Sequence, residues 1–436
     1  AYEFSGYLIV QSQGHQAAVL AAAFPPVVLL LVTDVARRRR SVPAGGILLG
    51  LSAAAALYTW EETLLATLMF AAIGVTAALV VAPAQLRAAW RAPAAAIAVA
   101  AVTGAALSAP GLWVQFFGPM HLGASALRPA DIWVIDLQNL WTPTQQQLLA
   151  PSSAITASHS WTGDGFEWGG YLGLPLIAVV AAGAVMLRRR PVVRWLALML
   201  VLGAVLSLGP VLHVGGRSTG VPLPWALLDR LPLIRDILAA RLAVFPALAG
   251  AVLLAIAVDA LLADRRTGLA FAATVVVLAS LLPNPLPAQV VSVPAFFSSG
   301  VQRVPAGAVV LVAPYPTPAA AAAMSWQVAS GMRFRMPGGY ILTPDRSGGL
   351  VESSSNTATS VVMQQIEDGQ TPAFSAALLA EVASDLQHLQ VAAVVVGPMP
   401  HRADMVALFS TALAKPPSQV GGVDVWWIQG VGHIRG

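Results

Sequence analysis

The chain has 436 residues, of which 57% are hydrophobic and only 10% are charged, against roughly 25% charged residues in a typical globular protein. So few charged side chains cannot cover a compact water-soluble fold, and the composition predicts a protein whose main solvent is the lipid bilayer. The net charge of +4 is small and forms no basic stripe, so no nucleic-acid partner is expected. The absence of cysteine excludes disulfide scaffolds, cysteine-ligated zinc and thiol nucleophiles.

Apolar stretches almost free of charge recur through the first 290 residues. A helix that crosses a bilayer needs about 20 residues at 1.5 Å per residue. The sequence predicts eight spans, at residues 16–34, 44–60, 63–83, 93–112, 169–187, 192–210, 237–262 and 268–282. The second stretch is short and the fourth is rich in alanine, so either of them could be re-entrant instead.

Arginines provide a test of this topology that is independent of hydrophobicity. They cluster at alternate connections between the spans, at residues 37–40, 87 and 91, 188–194, and 265–266. The positive-inside rule predicts that these connections are cytoplasmic. The long loop 113–168 and the shorter loop 211–236 are then external. Both loops are rich in Trp, Pro, Gly and Gln, and their tryptophans fit either an interfacial belt or a sugar-stacking face.

The composition changes after a proline-rich linker at residues 283–287. Residues 1–290 are expected to form a transmembrane domain, and residues 291–436 an extracytoplasmic α/β domain. Strands are expected at 307–314, 391–397 and 422–428, and helices at 318–330, 372–390 and 403–413. Strands that alternate with helices indicate a small parallel sheet. Thr371 is the expected N-cap of the second helix, and residues 347–359 are expected to form a loop.

Two adjacent carboxylates, Glu61 and Glu62, interrupt the apolar run at the predicted outer boundary of the membrane. Ionisable groups beside a span are energetically expensive and suggest function. Repulsion between neighbouring carboxylates raises one pKa, which suits a general base or a metal ligand. The alternative is a polar turn in which the glutamates cap the N-terminus of the next helix.

Three arginines on the predicted outer side are candidates for binding a phosphate. Arg235 and Asp236 open the seventh span, and Arg241 lies five residues past Asp236, inside the edge of the hydrocarbon. A guanidinium at that depth needs a partner, and its fork binds phosphate in a bidentate manner. Pairing of Arg241 with Asp236 or with a carboxylate of another helix is the alternative. Arg217 lies in a glycine-rich outer loop and could reach the same place, or be a solvated charge.

Histidines and acidic residues of the outer side complete the candidate site. The histidines could share a metal or an acid–base site, or each could be structural, and the acids of the long loop are further acid–base candidates. The histidines are His15, His121 and His213, and the acids are Asp131, Asp136, Asp164 and Glu167. Common catalytic motifs for nucleotides, zinc and serine nucleophiles are absent.

Several segments taken in order resemble a known family. They are His15, residues 37–40, Glu61 with Glu62, and residues 113–122, 170–175, 206–210, 223–225, 235–241, 332–340 and 421–426. This order resembles actinobacterial multi-pass membrane proteins of the GT-C glycosyltransferase superfamily and the related YfhO-like proteins. The resemblance covers nearly the whole chain, although many members carry no assigned activity.

The resemblance implies transfer of a sugar from a polyprenyl-phosphate donor to a cell-envelope glycan or glycolipid acceptor, outside the bacterial plasma membrane. An acidic residue in the first outer loop would act as base or bind a divalent metal, Mg²⁺ or Mn²⁺. That loop would precede Ala1, because we expect the chain to be truncated at its N-terminus. The resemblance assigns Arg217, Arg235 and Arg241 to the phosphate, and Glu61 and Glu62 to the same cavity.

Two other functions fit the same pattern of charges. A transporter or flippase of lipid-linked sugars fits the number of spans, although transporters usually carry polar groups near the middle of the membrane. A scaffold without catalytic activity, with the α/β domain as a binding module, fits the absence of catalytic motifs. Membrane lipid is a partner in every case.

Overall fold

The computed structural model describes residues 1–118, 130–285, 291–317, 320–344, 350–352 and 357–428. These residues are mostly helical, with a small sheet in the C-terminal region. They divide into two compact units. The helical unit contains residues 1–118 and 130–285, and the C-terminal unit contains the described residues from 291 onward.

Helices make up most of the helical unit, and short 3₁₀ turns lie at Leu137–Leu140, Ile234–Asp236 and Ala239–Ala243. The helices are α1 (Gly6–Gln11), α2 (Gln16–Ala21), α3 (Phe24–Ala36), α4 (Val42–Val81), α5 (Pro83–Ala89), α6 (Arg91–Phe117), α7 (Ser152–Ser158), α8 (Leu174–Met186), α9 (Pro191–Ser207), α10 (Trp225–Leu228), α11 (Val244–Ala263) and α12 (Thr267–Ser280).

Four helical segments of the described residues are long and apolar enough to cross a membrane: Gln16–Ala36, Val42–Val81, Arg91–Phe117 and Ala239–Ala263. Helices α8, α9 and α12 are also apolar but shorter. Every predicted span therefore overlaps a helix. The sequence divides 44–83 into two spans, and the structure breaks α4 at Trp60, at the boundary between them. Three of the other predicted spans correspond to helices that are shorter than expected.

The break in α4 lies at Trp60, whose φ of −164° and ψ of 91° are extended rather than helical. Gly46 lies against Ala96 and Val99 near the start of α6, and Tyr58 lies against Gly111 near its end. The first segment of α4 and α6 are therefore parallel. Because the chain must return to the start of α6, the second segment of α4 runs back, and α4 is a helical hairpin with its turn at Trp60.

The next helices continue this alternation of direction. At the start of α9, Arg194 donates to the carbonyl of Val81 and Trp195 donates to that of Gly74, so α9 is antiparallel to the second segment of α4. Near the end of α9, Gly203 lies against Pro246 at the start of α11. The Trp60 turn, the end of α9 and the start of α11 therefore lie at the same end of the helical unit.

Residues 211–236 were expected to form a loop, but they contain an antiparallel hairpin of β1 (Val211–Val214) and β2 (Arg217–Pro222). The turn is Gly215–Gly216, and both glycines have positive φ, 61° and 78°. This conformation suits a two-residue hairpin and favours glycine. The buried Asp136 carboxylate accepts hydrogen bonds from both glycine amides, at 3.1 and 2.8 Å, and so fixes the turn.

The C-terminal unit has strands flanked by helices on both faces. The strands are β3 (Val309–Ala313), β4 (Leu342–Pro344), β5 (Leu350–Glu352), β6 (Val391–Val396), β7 (Ser418–Val420) and β8 (Val423–Trp427). The helices are α13 (Ala295–Ser298), α14 (Ala322–Ala329), α15 (Ala358–Glu367), α16 (Ala376–His388) and α17 (Arg402–Ala412). Helices α15, α16 and α17 pack on one face of the main sheet, and α13 and α14 pack on the other.

The main sheet has the strand order β3-β6-β8-β7 and is mixed, so the prediction of a parallel sheet is wrong in part. Strands β3 and β6 are parallel, as expected for a helical crossover, whereas β6 and β8 are antiparallel. The reversal comes from the β7–β8 hairpin, whose turn residues Gly421 and Gly422 both have positive φ. The short strand β7 makes this hairpin and was not predicted.

Two helix boundaries also differ from the predictions. Helix α16 begins at Ala376 rather than at residue 372, and its N-cap is Ser375, whose hydroxyl accepts from the amide of Leu378. Ser375 is a better cap than Thr371 because it directly precedes the amphipathic run. The predicted loop 347–359 overlaps β5 and the start of α15 with its N-cap Thr357, which the sequence did not predict. Residues 347–349 and 353–356 of that prediction lie outside the described residues.

Candidate active site at the hairpin turn

The turn of the α4 hairpin places Glu62 at the start of its second segment. Trp60 is extended, so the helix restarts after it, and a carboxylate in the first turn is favoured by the helix dipole. The Glu62 Oε1 atom accepts a hydrogen bond of 2.7 Å from the amide of Leu238, and Oε2 accepts one of 3.1 Å from the indole of Trp60. Glu62 therefore ties the α4 hairpin to the segment that leads into α11.

Arg241 lies on that segment, in the 3₁₀ turn Ala239–Ala243, and points at two carboxylates. Its Nη1 atom donates to Glu62 Oε2. Its Nη2 and Nε atoms both donate to Glu167 Oε1, at 2.6 and 3.0 Å. The guanidinium also lies over the ring of Trp60, 5.0 Å from the centroid, a favourable cation–π contact.

The second oxygen of the Glu167 carboxylate accepts a hydrogen bond from a side chain of the first helix. Gln11, in α1, donates from Nε2 to Glu167 Oε2 at 3.2 Å and to the carbonyl of Phe166 at 2.9 Å. The Gln11 Oε1 atom is buried and has no hydrogen-bond partner among the described residues. A hydroxyl or water in this place would satisfy it. We call Gln11, Trp60, Glu62, Glu167 and Arg241 the Arg241 cluster.

The Arg241 cluster is largely shielded from solvent. The side chains of Arg241, Glu62 and Glu167 are only 12%, 15% and 5% exposed. Burial raises the pKa of Glu167 above its usual value, and the attraction of Arg241 opposes this rise. Burial next to Glu62 also raises the pKa of the neighbouring Tyr7, so that its hydroxyl stays protonated. Two carboxylates therefore share one cation in a place from which water is mostly excluded.

The two adjacent glutamates of the sequence have different surroundings. Glu62 belongs to the Arg241 cluster, whereas Glu61 is exposed. Glu167 was only one of several acidic candidates, yet it makes two of the three hydrogen bonds between Arg241 and its carboxylates. The contacts of Arg241 match the alternative in which it pairs with carboxylates from other parts of the fold. Binding of a phosphate by Arg241 stays a prediction, because its fork already holds two carboxylates.

The other arginines assigned to a phosphate lie outside the cluster. Arg235 and Asp236 form part of the 3₁₀ turn Ile234–Asp236 and are half-buried, so they precede α11 instead of opening it. Arg217 lies at the start of β2 and is exposed, on a hairpin and not on the flexible loop that was expected. Their roles toward a phosphate stay predictions.

Of the histidines, His15 borders the cluster: its ring centroid lies 5.8 Å from that of Trp60 and 6.3 Å from that of Phe166. His213 is buried in β1, and its Nε2 lies 3.7 Å from Asp131 Oδ2. Burial raises the pKa of Asp131, and His213 opposes this rise. His121 lies outside the described residues. The structure therefore brings His15 and His213 to different partners.

The remaining candidates have local structural roles. Asp164 is exposed and accepts a hydrogen bond from the amide of Phe166 at 2.9 Å, which stabilises the turn before Glu167. Asp136 holds the β1–β2 turn, as described above. Trp161 and Trp168 pack edge to face and are buried, so they form neither a belt nor a sugar-stacking surface. Trp113 is exposed on α6, as an interfacial tryptophan would be.

A divalent metal has no obvious ligand set. Within the described part of the chain, no three His, Asp or Glu side chains are grouped so that they could hold a metal ion. The carboxylates of the Arg241 cluster are engaged by a guanidinium. The prediction of Mg²⁺ or Mn²⁺ is therefore not supported by any arrangement of these residues and stays a prediction.

An apolar cavity of about 390 Å³ opens between α4, α9 and the segment after β2. Its lining is entirely apolar and includes Leu65 and Ile73 of α4, Leu202 of α9, Leu228 of α10 and Ile234. Ile234 directly precedes Arg235, which itself does not line the cavity. A cavity with this lining fits an apolar chain.

Comparison of the sequence with known proteins adds no family to this geometry. No protein-family model matches the chain, and no curated protein matches it. The candidate site therefore rests on its own contacts. The signal in the sequence that could have identified it is the rarity of charge, since Glu62, Glu167 and Arg241 are ionisable residues close to long apolar stretches.

Proposed function

We propose that the protein is a membrane glycosyltransferase that transfers a sugar from a polyprenyl-phosphate donor to a cell-envelope acceptor. The observation that supports this proposal is the Arg241 cluster, in which the carboxylates of Glu167, buried, and Glu62, half-buried, share one guanidinium at the end of the apolar helices. Such a cluster holds a carboxylate base in a site that is shielded from water, where the base can activate a hydroxyl nucleophile.

In the proposed reaction the acceptor hydroxyl oxygen attacks the anomeric carbon of the sugar. The bond between that carbon and the phosphate oxygen breaks, and the polyprenyl phosphate leaves with the bonding electrons. Glu167 takes the proton of the hydroxyl, because burial raises its pKa and makes it a stronger base. Arg241 and Gln11 orient the Glu167 carboxylate, and Glu62 holds Arg241 in position.

The donor would lie in the apolar cavity that ends at Ile234. Its polyprenyl chain would pack against α4 and α9, and its phosphate would meet Arg235, whose charge stabilises the leaving group. The Leu238 amide binds Glu62, and Leu238 is only three residues from Arg235. Three residues span at most about 11 Å of chain, so Arg235 lies close along the chain to the amide that binds Glu62 of the Arg241 cluster.

The proposed topology has eight crossings, with α4 contributing one on each side of Trp60 and α8, α9 and α12 contributing one each. The arginine clusters would face the cytoplasm of a bacterial cell. The Trp60 turn, Glu62 and Arg241 would then face outward, and so would the C-terminal unit. This sidedness agrees with a polyprenyl-linked donor, which is used on the outer face.

The test is transfer by the purified chain in lipid nanodiscs, measured as release of polyprenyl phosphate from a panel of polyprenyl-phosphate sugars. We expect Glu167→Gln to lower the rate by about 10²- to 10⁴-fold, the usual contribution of a general base. Glu61→Gln is the matched control, since this exposed neighbour of Glu62 should leave the rate unchanged. The melting temperature of each variant would separate loss of chemistry from loss of fold.

Two outcomes would contradict the assignment. Equal rates for the wild type and Glu167→Gln would exclude Glu167 as the base, and loss of transfer in Glu61→Gln alone would return the role to the exposed carboxylate. Uptake of lipid-linked sugar into vesicles without any covalent product would favour the transporter. The charged cluster lies at the end of the apolar helices and not at their middle, which makes the transporter the weaker proposal.

A further inference from the structure

The charges of the C-terminal unit are divided unevenly along its sequence. Residues 291–344 contain three arginines and no Asp or Glu, whereas residues 345–428 contain eight acidic and three basic residues. The first part is therefore positive and the second part negative. A unit with this division of charge has a preferred orientation next to any strongly charged surface.

Packing brings the three arginines to one edge of the sheet. Arg335 pairs with β3 on the side opposite to β6, through its amide to Ala308 and its carbonyl to Val310. The Arg333 guanidinium donates to the carbonyls of Val304 and Gln302, at 3.0 and 3.2 Å. These two contacts place Arg333 directly beside Arg303, whose side chain is exposed.

Two exposed apolar side chains lie next to these arginines. Val328 and Met332 are 67% and 61% exposed, and they are held together by the turn at the end of α14, where the amide of Gly331 donates to the carbonyl of Val328. Met332 has a φ of 56°, a left-handed conformation that is unfavourable for a side chain with a Cβ. The strain is not offset by burial, because the side chain faces solvent.

We propose that this edge, formed by Arg303, Val328, Met332, Arg333 and Arg335, rests on an anionic lipid surface. The apolar side chains enter the boundary between headgroups and acyl chains, and the arginines bind lipid phosphates. We call these five residues the basic edge. The contact is independent of the proposed transfer reaction and concerns a different unit of the protein.

The charge of the edge favours lipid over a protein partner. A lipid surface needs only positive charge and a few apolar side chains, without shape complementarity, and the basic edge offers no more than this. The rest of the unit is acidic and is repelled by the same surface, so a single orientation is favoured. The unit is also covalently joined to helices that can cross a membrane, so a weak contact is sufficient for occupancy.

The experiment uses the absence of cysteine from the chain. Met332→Cys in the 436-residue chain is labelled with an environment-sensitive fluorophore and reconstituted in phosphatidylcholine vesicles with or without phosphatidylglycerol. Val361→Cys, at a 48% exposed position on α15 in the acidic part, is the matched control. Quenching by spin-labelled acyl chains then reports contact with the bilayer, and quenching by iodide reports contact with water.

We expect anionic lipid to increase acyl-chain quenching at position 332 by about twofold or more and to leave position 361 unchanged. Salt should reverse the increase, because the Debye length is about 8 Å at physiological ionic strength and shorter above it. Replacing the three arginines by glutamine should also remove it, with the melting temperature as a check on folding. A second label, at Val328→Cys, should give the same result as the label at position 332.

The proposal would be overturned by quenching that is equal at positions 332 and 361, or by quenching that does not depend on anionic lipid. Protection of position 332 from iodide without quenching by acyl chains would also overturn it, since this would indicate that protein, and not lipid, covers the basic edge.

Discussion

The helical unit buries Glu167 and the C-terminal unit half-buries Glu367, and the two carboxyl groups have different hydrogen-bond partners. Glu167 of the helical unit accepts three hydrogen bonds from Arg241 and Gln11. Glu367, at the end of α15, accepts a bond of 2.5 Å from the backbone amide of Tyr315. Burial and the neighbouring Asp368 raise the pKa of Glu367 to about 7, and the Tyr315 amide only partly opposes the rise.

The difference lies in the groups that oppose the effect of burial on each carboxylate. A guanidinium supplies both a full positive charge and several donors, so it can compensate the loss of water. One amide supplies a single donor, and the carboxyl group is then protonated over part of the neutral range. In the Arg241 cluster a cation therefore opposes the rise in the pKa of Glu167, whereas at Glu367 only one amide opposes the rise.

The largest effect should come from removing the cation. Arg241→Ala leaves Glu62 and Glu167 shielded from water without a cation, and the free energy of unfolding should fall by about 3–5 kcal/mol. Chemical denaturation in detergent micelles would measure this loss. Arg241→Lys, which keeps the charge but not the fork, should lose less. A stable Arg241→Ala variant would mean that the carboxylates do not depend on this cation, and the comparison with Glu367 would fail.

The second effect depends on pH. Between its ordinary value of 4.5 and about 7, Glu367 is protonated in the folded state but ionised in the unfolded state. Folding therefore takes up a proton, and this contribution to stability is lost as the pH rises through 7. Glu367→Gln resembles the protonated form, so it should raise the stability by about 1–2 kcal/mol at pH 8 and change little at pH 5.

Thermal melts of the wild type and Glu367→Gln at both values of pH would measure this difference. Asp368→Asn, a neutral change at the exposed neighbouring carboxylate, is the control and should have a smaller effect. An increase in stability that is the same at pH 5 and pH 8 would show that Glu367 does not titrate in this range.

A smaller effect should follow from removing a neutral donor. Gln11→Leu deletes the hydrogen bond to Glu167 but also the buried Oε1 atom that has no partner among the described residues. The two changes partly cancel, so the stability should fall by only about 1 kcal/mol. The rate of transfer should depend more strongly on pH in this variant, because Glu167 loses a bond that favours its ionised form. A loss as large as that of Arg241→Ala would show that Gln11, and not the cation, holds the cluster.

Much of the fold was accessible from the sequence because its signals are local. The apolar stretches, the strands β3, β6 and β8, and the helix α17 follow from hydrophobic runs and caps. The direction of β8 was not accessible, because it depends on the short hairpin formed by Gly421 and Gly422. The division of residues 44–83 at Glu61 and Glu62 was accessible too, because the turn of the α4 hairpin lies next to them, at Trp60.

The candidate site was accessible only in part. Glu62 and Arg241 stood out because charges are rare in apolar surroundings, but their contact joins positions far apart in the chain, and no spacing rule reports it. Glu167 and Gln11 were harder to select, since similar residues are common in the outer loops. In the sequence, Glu61 and Glu62 look like an equivalent pair. In the fold, Glu61 is exposed and Glu62 is largely shielded from solvent.

The smallest effect tests this separation directly. Glu61 is exposed, so Glu61→Gln should change the free energy of unfolding by less than about 0.5 kcal/mol. Glu62→Gln, one residue away, removes a charged acceptor from Arg241, and a loss of about 2 kcal/mol is expected. Because the two variants make the same chemical change, denaturation curves for the pair isolate the contribution of the Arg241 cluster. Equal losses would mean that both carboxylates act through the hairpin turn and that contact with Arg241 adds nothing.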